Sequence, residues 1–178
     1  MGTKPIKKLV ITVVAVLLVV VLGIGGYLQL YKPSQRDILS DTRKPLPASQ
    51  QEMLPVTPVS QLPEPYRTRF SDALHDAVHA IKPDHHVIQE QMYVKYFGYS
   101  WALVRKLSGE YLHRDFGYSE TADATAQVDG EGVDYIFWQG GWLRRQFDDR
   151  IVMAVGLATM LLPDTGTMIF GYFVMRPA

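Results

Sequence analysis

Two helix-patterned stretches followed by two apolar hairpins around glycine-containing turns predict an α+β fold, and an uncharged N-terminal run places a membrane segment ahead of it. With 178 residues the chain is long enough for one compact domain plus accessory segments, and too short for two domains of ordinary size. A hydrophobic content of 47% against 20% charged residues is globular in character, but the average mixes a very apolar start with a more polar remainder. The segments are therefore read one by one.

Residues 1–8 are a basic tail carrying Lys4, Lys7 and Lys8. Leu9 to Leu30 then run for 22 residues without a charge, interrupted only by Thr12, Tyr27 and Gln29. A helix of that length is about 33 Å long, enough to cross a hydrocarbon core of roughly 30 Å, so a single transmembrane anchor over 9–30 is expected. A cleaved export signal has a similar plan and would end on small residues such as Gly23, Gly25 and Gly26, but the run continues to Tyr27 and Tyr31 at interfacial depth. Three Lys precede the run and four Lys or Arg follow it, which leaves orientation undecided by charge. The short tri-lysine start and the absence of cysteine favour a cytoplasmic N-terminus and a periplasmic C-terminal domain. Zero cysteine also excludes thiol nucleophiles, CxxC redox centres, thiolate zinc sites and a lipidated cysteine anchor.

From residue 31 to residue 65 the composition changes to a proline-rich spacer holding Pro33, Pro45, Pro47, Pro55, Pro58, Pro63 and Pro65. Proline lacks an amide donor and pushes its predecessor out of helix, so an extended linker is expected, with a reach on the order of 100 Å at about 3.1 Å per residue. The folded domain is then residues 66–178. In RTRFSDALHDAVHAIK, the spacing of Phe70, Leu74, Val78 and Ile81 gives one apolar helical stripe, stopped by Pro83. A second helix is expected from about His85 to His113 on Ile88, Met92, Tyr96, Tyr99, Leu103, Leu107 and Tyr111, forming a hairpin with the first.

After a polar connector, VDYIFWQGGWLRRQF reads as two strands around Gly140 and Gly141, and RIVMAVGLATMLLPDTGTMIFGYFVMR as two more around Pro163 to Gly166. The sum is a four-stranded antiparallel meander. A membrane span over 151–175 is the competing reading, opposed by the polar turn at its centre. In the third strand Ile151, Met153, Val155 and Leu157 alternate with Val152, Ala154, Gly156 and Ala158, so both faces are apolar and both must be covered. With the helical pair on one face, sheet curvature, a second copy or a partner has to cover the other. Helix-first, sheet-last layouts of this kind include cone-shaped NTF2-like and cystatin-like architectures, an analogy of layout that carries no function.

The search for chemistry is mostly negative. No GxSxG, SxxK, HExxH, GxxxxGK[ST] or GxGxxG pattern occurs, and Asp129 to Asp134 reads as a turn. From Tyr66 onward 11 Lys and Arg face 14 Asp and Glu, a balance of −3 that disfavours nucleic acid. His75, His79, His85 and His86 form the one metal-ligand candidate, since two histidines four apart share a helix flank and the KPD turn has to bring the others back. Tyr93, Tyr99 and Trp101 cannot share one narrow helix face, which makes them the candidate interaction residues.

The expected function is accordingly a membrane-anchored, non-enzymatic protein-interaction module, with no cofactor. Its partners would be the bilayer through 9–30 and envelope proteins of a secretion or division machine, an incoming toxin that it inhibits, or a second copy of itself. A small-ligand or lipid-binding cone and a histidine-dependent metal hydrolase are the alternatives.

Overall fold

The computed structural model describes residues 12–24, 38–39, 56–96, 100–158 and 167–178. The chain divides into two compact units, Met1–Arg36 and Asp37–Ala178. In the first, residues 12–24 are helical, with Val13 to Leu22 and Ile24 exposing their apolar side chains. Among the described residues no helix is long and apolar enough to cross a membrane. The expected continuation of that helix to residues 9 and 30 lies outside the described residues.

The second unit is α+β. Its strands are β1 (Thr57–Pro58), β2 (His85–Lys95), β3 (Tyr118–Val128), β4 (Glu131–Gly140), β5 (Ile151–Leu157) and β6 (Met168–Pro177). Its helices are α1 (Tyr66–Ile81), α2 (Trp101–Phe116) and the short α3 (Trp142–Arg145). All strand pairs are antiparallel, in the order β1-β2-β6-β5-β4-β3. The expected four-stranded meander is thus a six-stranded sheet.

The first helix falls where its stripe places it. Phe70, Leu74, Ala77 and Val78 are buried, and the helix ends at Ile81 ahead of Pro83. The hairpin of β5 and β6 also forms, in register from Ile151 opposite Met175 to Leu157 opposite Ile169. Its turn, Pro163 to Gly166, lies outside the described residues.

The helical hairpin does not form. His85–Lys95 is a strand paired with β6, and only the later part of the expected second helix, from Trp101, is helical. The two helices lie on opposite faces. Phe70, Leu74, Ala77 and Val78 of α1 pack with Ile151, Met153, Val155 and Leu157. Val104, Leu107, Leu112 and Phe116 of α2 pack with Val152 and Ala154 of the same strand. The two apolar sides of β5 are therefore each covered by a helix of this chain, and no partner is needed to cover either. β6 repeats the plan, with Phe170, Tyr172 and Val174 toward α2 and Ile169, Phe173 and Met175 toward α1. Toward α2 the β5 side chains shrink to Ala154 and Gly156, and Trp101 fills the room; a Cβ on Gly156 would stand 2.9 Å from its Cζ3.

The expected polar connector is the edge strand β3, joined to β4 through Asp129 and Gly130. Both turn residues have positive φ, 51° and 83°, the backbone of a two-residue hairpin turn. The folded unit also starts before residue 66. Thr57 and Pro58 pair with Val94 and Tyr93, and Ile38 is buried in the α2-side core. Part of the expected spacer is thus built into the domain.

Candidate interaction surfaces

The histidines separate. His75 Nε2 lies 2.6 Å from Glu90 Oε2 of β2, and its ring stands edge-on to Phe173. His85 Nδ1 lies 2.9 Å from Asp84 Oδ1, while His79 and His86 are exposed. Among the described residues no group of three or more His, Asp or Glu is placed to hold a metal ion.

The aromatic candidates separate too. Tyr93 is a core residue of β2 whose hydroxyl donates to Gln91 Oε1 at 2.7 Å, and burial holds its phenol above the ordinary range. Tyr99 lies outside the described residues. Trp101 opens α2, half-buried, and with Arg105, Lys106, Gly109 and Glu120 it lines an open groove of about 410 Å³. Arg105 closes that groove toward β3 by pairing with Glu120 at 2.5 Å and with Asp123.

The buried ionic chemistry gathers at the other end of α2. Asp148 and Arg150 are nearly inaccessible. Arg150 Nε donates to Asp148 Oδ1 at 2.7 Å, Arg150 Nη2 donates to Oδ2 at 2.9 Å, and Tyr118 Oη donates to Oδ2 at 2.8 Å. Burial by itself raises the Asp148 pKa, but the hydrogen bonds from Arg150 and Tyr118 outweigh it and hold the carboxyl below its ordinary value. The same contact keeps Arg150 protonated, and burial beside Asp148 pushes the Tyr118 phenol up. The three side chains thus satisfy one another and clamp the start of β5 to the start of β3.

That clamp holds α3 in an inside-out arrangement. The turn is closed by Arg144 N–H and Arg145 N–H donating to Gly141 O, and by Asp148 N–H donating to Arg144 O. Arg144 and Asp148, four apart, therefore share the inward side of the turn. The Arg144 guanidinium stacks 5.3 Å from the Tyr118 ring centroid, and its stem lies over Gly140, where a Cβ would meet Arg144 Cδ at 2.9 Å. Leu143 and Phe147, also four apart, point outward with Trp142; the three are 64%, 60% and 68% exposed. Buried charge beneath exposed apolar bulk reverses ordinary partitioning. The expected strand arm after Gly141 is this turn, because Trp142 and Leu143 have no sheet face to pack on.

A second surface is the outer edge of β3. Eleven residues long, it is the last strand of the sheet, and Ser119 to Thr125 are all exposed. A bulge at Thr121, between Glu120 and Ala122, places Ala122 and Ala124 on the α1 side, while Glu120 and Asp123 face Arg105 on the α2 side. Proline and lysine, which commonly blunt an edge, are absent from this strand.

Neither surface was singled out by pattern. The signal available was negative: a segment of strand length with no apolar face, and apolar residues next to paired arginines. Comparison with protein-family models, with curated proteins and with solved structures finds no match to this chain.

Proposed function

We propose that the protein is a membrane-anchored, non-enzymatic interaction module that captures a strand of a partner protein along β3. The observation that carries this reading is the eleven-residue outer edge of β3, exposed from Ser119 to Thr125 and free of proline and lysine, which offers backbone donors and acceptors to an added strand on either side of the bulge at Thr121. On the α2 side of the edge Glu120 and Asp123 are already paired with Arg105, so the main-chain edge rather than charge is what an added strand meets there. Asp148, Arg150 and Tyr118 satisfy one another, which supports a structural role for that buried cluster.

In this reading residues 9–30 form the anchor, the N-terminus is cytoplasmic, and Asp37–Ala178 works in the periplasm of a bacterial-type envelope. The partner is a component of a secretion or division machine, or a toxin that is neutralised on arrival; a second copy joined edge to edge at β3 is the homo-oligomeric version. The filling of both sheet faces by α1 and α2 weighs against a cone that stores a small ligand.

The test is site-specific photo-crosslinking in native membranes, with the photoreactive residue at Ala124 on the edge and, as control, at Asp76 on the exposed side of α1. Adducts at Ala124 and not at Asp76 are expected. Equal labelling at both, or none at Ala124, refutes the β3 edge as the docking strand.

A further inference from the structure

We propose that the groove between α2 and β3 is a binding site for a small carboxylic acid with a flat apolar body. The site depends neither on the anchor nor on strand capture at β3, since every residue that forms it lies on α2, β3 or β4.

The groove follows from the spacing of residues on α2. Val104, Leu107, Ser108 and Leu112 turn into the core, where Ser108 Oγ lies 2.8 Å from Tyr172 Oη. Ala102, Arg105, Lys106 and Gly109 recur at helical spacing on the adjoining strip, and with Trp101 and Glu120 they line about 410 Å³. That volume falls in the range of sites for small molecules. It lies outside the packing of α2 on β5 and β6, so the filled core does not close it.

A donor without an acceptor marks the groove as a ligand site. Trp138 of β4 is 1% exposed, and its Nε1 is buried with no hydrogen-bond partner. Buried polar groups in folded proteins are almost always paired, so an orphan of this kind calls for an explanation. Gly109 faces it from the groove wall: a Cβ there would stand 3.4 Å from Trp138 Nε1, the one atom outside α2 within 4 Å. Any other residue at 109 would thus press a side chain onto this N–H. Trp101 carries a second buried Nε1 without a partner, on a ring that lines the same groove.

Charge then selects the ligand. The groove's own acceptor is taken, because the Glu120 carboxylate receives Arg105 Nε at 3.0 Å and Arg105 Nη2 at 2.5 Å, and Arg105 is shared with Asp123. Lys106 is exposed at the rim, and neither Glu110 one turn on nor any other described carboxylate lies within ion-pair distance of it. Two indole donors and one unpaired cation ask for an acceptor that carries one negative charge. A carboxylate meets that demand, with one oxygen for an indole N–H and one for the ammonium, and its single charge fits one lysine better than a phosphate would. Trp101 and Ala102 supply the apolar wall for a flat body attached to it.

The test is a nuclear magnetic resonance titration of the full chain in detergent micelles, with its three tryptophans labelled at the indole nitrogen. Trp101→Phe and Trp142→Phe assign the three indole signals. Benzoate is the probe, and benzylamine, with the same ring and the opposite charge, is the control. Benzoate is expected to move the Trp138 and Trp101 N–H signals downfield and saturably, with a Kd on the order of 1 mM for so small a ligand, while exposed Trp142 stays in place. Benzylamine should move neither. Lys106→Met should weaken benzoate binding roughly two- to fivefold, the worth of one exposed charge pair. Gly109→Ala should keep the fold, because alanine suits a helix better than glycine, and should abolish the Trp138 shift. Absence of a saturable shift, or equal shifts with benzoate and benzylamine, overturns the site. A Trp138 N–H that exchanges magnetisation with a bound water which benzoate does not displace overturns it too, since solvent then satisfies the donor. A full Trp138 shift in Gly109→Ala places benzoate elsewhere, with the same consequence.

Discussion

Removing the Asp148 carboxylate should strongly destabilise the domain, and removing its arginine as well should recover most of the loss. In Asp148→Ala the acceptor of four hydrogen bonds disappears, those from the Arg150 backbone N–H, Arg150 Nε, Arg150 Nη2 and Tyr118 Oη. Arg150 is then left as a buried charge without its counter-ion, since its side chain is only 8% exposed. Breaking a buried pair from one side typically costs about 3–5 kcal/mol, a large share of the roughly 5–15 kcal/mol that holds a domain together. For a unit of this size that corresponds to a fall in Tm on the order of 10–15 °C. Replacing both ions, in Asp148→Ala combined with Arg150→Met, removes the stranded charge and should recover most of the loss. Tyr118→Phe alone should cost only about 1 kcal/mol, the net worth of one hydrogen bond. Urea unfolding in mild detergent, followed by tryptophan emission, measures all four chains. A single Asp148→Ala variant within 1 kcal/mol of the parent, or a double variant as unstable as the single one, would refute the clamp.

Four further outcomes follow from the same structure. Tyr93, Tyr118 and Tyr172 are buried phenols whose pKa values are raised, chiefly by desolvation. Their stabilising contribution is complete below the unfolded phenol value near 10 and is lost as pH rises above it, at about 1.4 kcal/mol per pH unit for each group, so urea midpoints should fall steeply above pH ~10; a flat alkaline limb contradicts this. Asp148 works in the opposite direction: its depressed pKa gives stability that is full above about pH 4 and is lost as pH falls below it, to be seen as acid-side loss that the double variant lacks. Gly156→Ala should cost about 1–3 kcal/mol, because the new Cβ lies 2.9 Å from the Trp101 ring, and Trp101→Leu in the same chain should relieve part of it. Leu143→Ser with Phe147→Ser should leave the midpoint within about 0.5 kcal/mol, since both side chains are mostly exposed; a large loss would show that they pack on the domain.

What was legible in the sequence, and what was not, follows from where each residue makes its contacts. The stripe Phe70, Leu74, Val78 has the helical period, and the helix is there. The double-sided apolar pattern of Ile151 to Leu157 correctly required cover on both faces, but the identity of the cover was missed: it is α1 on one side and α2 on the other. The error began at His85–Lys95. Ile88 and Met92 stand four apart, a spacing that fits both a helix and a strand, and the bulge between Val87 and Gln89 interrupts the alternation that would have distinguished them. β3 left no pattern, because alanines line one side and acids the other, with no apolar row to count.

The site residues divide in the same way. Tyr93 reads as a recognition aromatic only if it lies on a helix surface, and in a central position of β2 it is core. Trp142, Leu143 and Phe147 read as a buried strand, because apolar composition says nothing about which way a short turn is rotated. That rotation is set by Arg144 and Asp148 packing against Tyr118 and Arg150, a long-range arrangement invisible to local periodicity. Asp129 to Asp134 reads from sequence as one turn; only Asp129 and Gly130, whose positive φ is a local requirement, form it, and Glu131 to Asp134 open β4.

The central claim is that the folded unit is displayed outside the cytoplasm by an uncleaved N-terminal anchor, where β3 can meet its partner. A reporter active only outside the cytoplasm, fused after Ala178 and read together with the size and alkaline-carbonate extraction of the fusion, tests it directly. An active, full-length fusion that stays with the membrane pellet is the predicted result. A fusion active only in its cytoplasmic version, or one shortened at Gly23 to Gly26 and released as a soluble product, would contradict it.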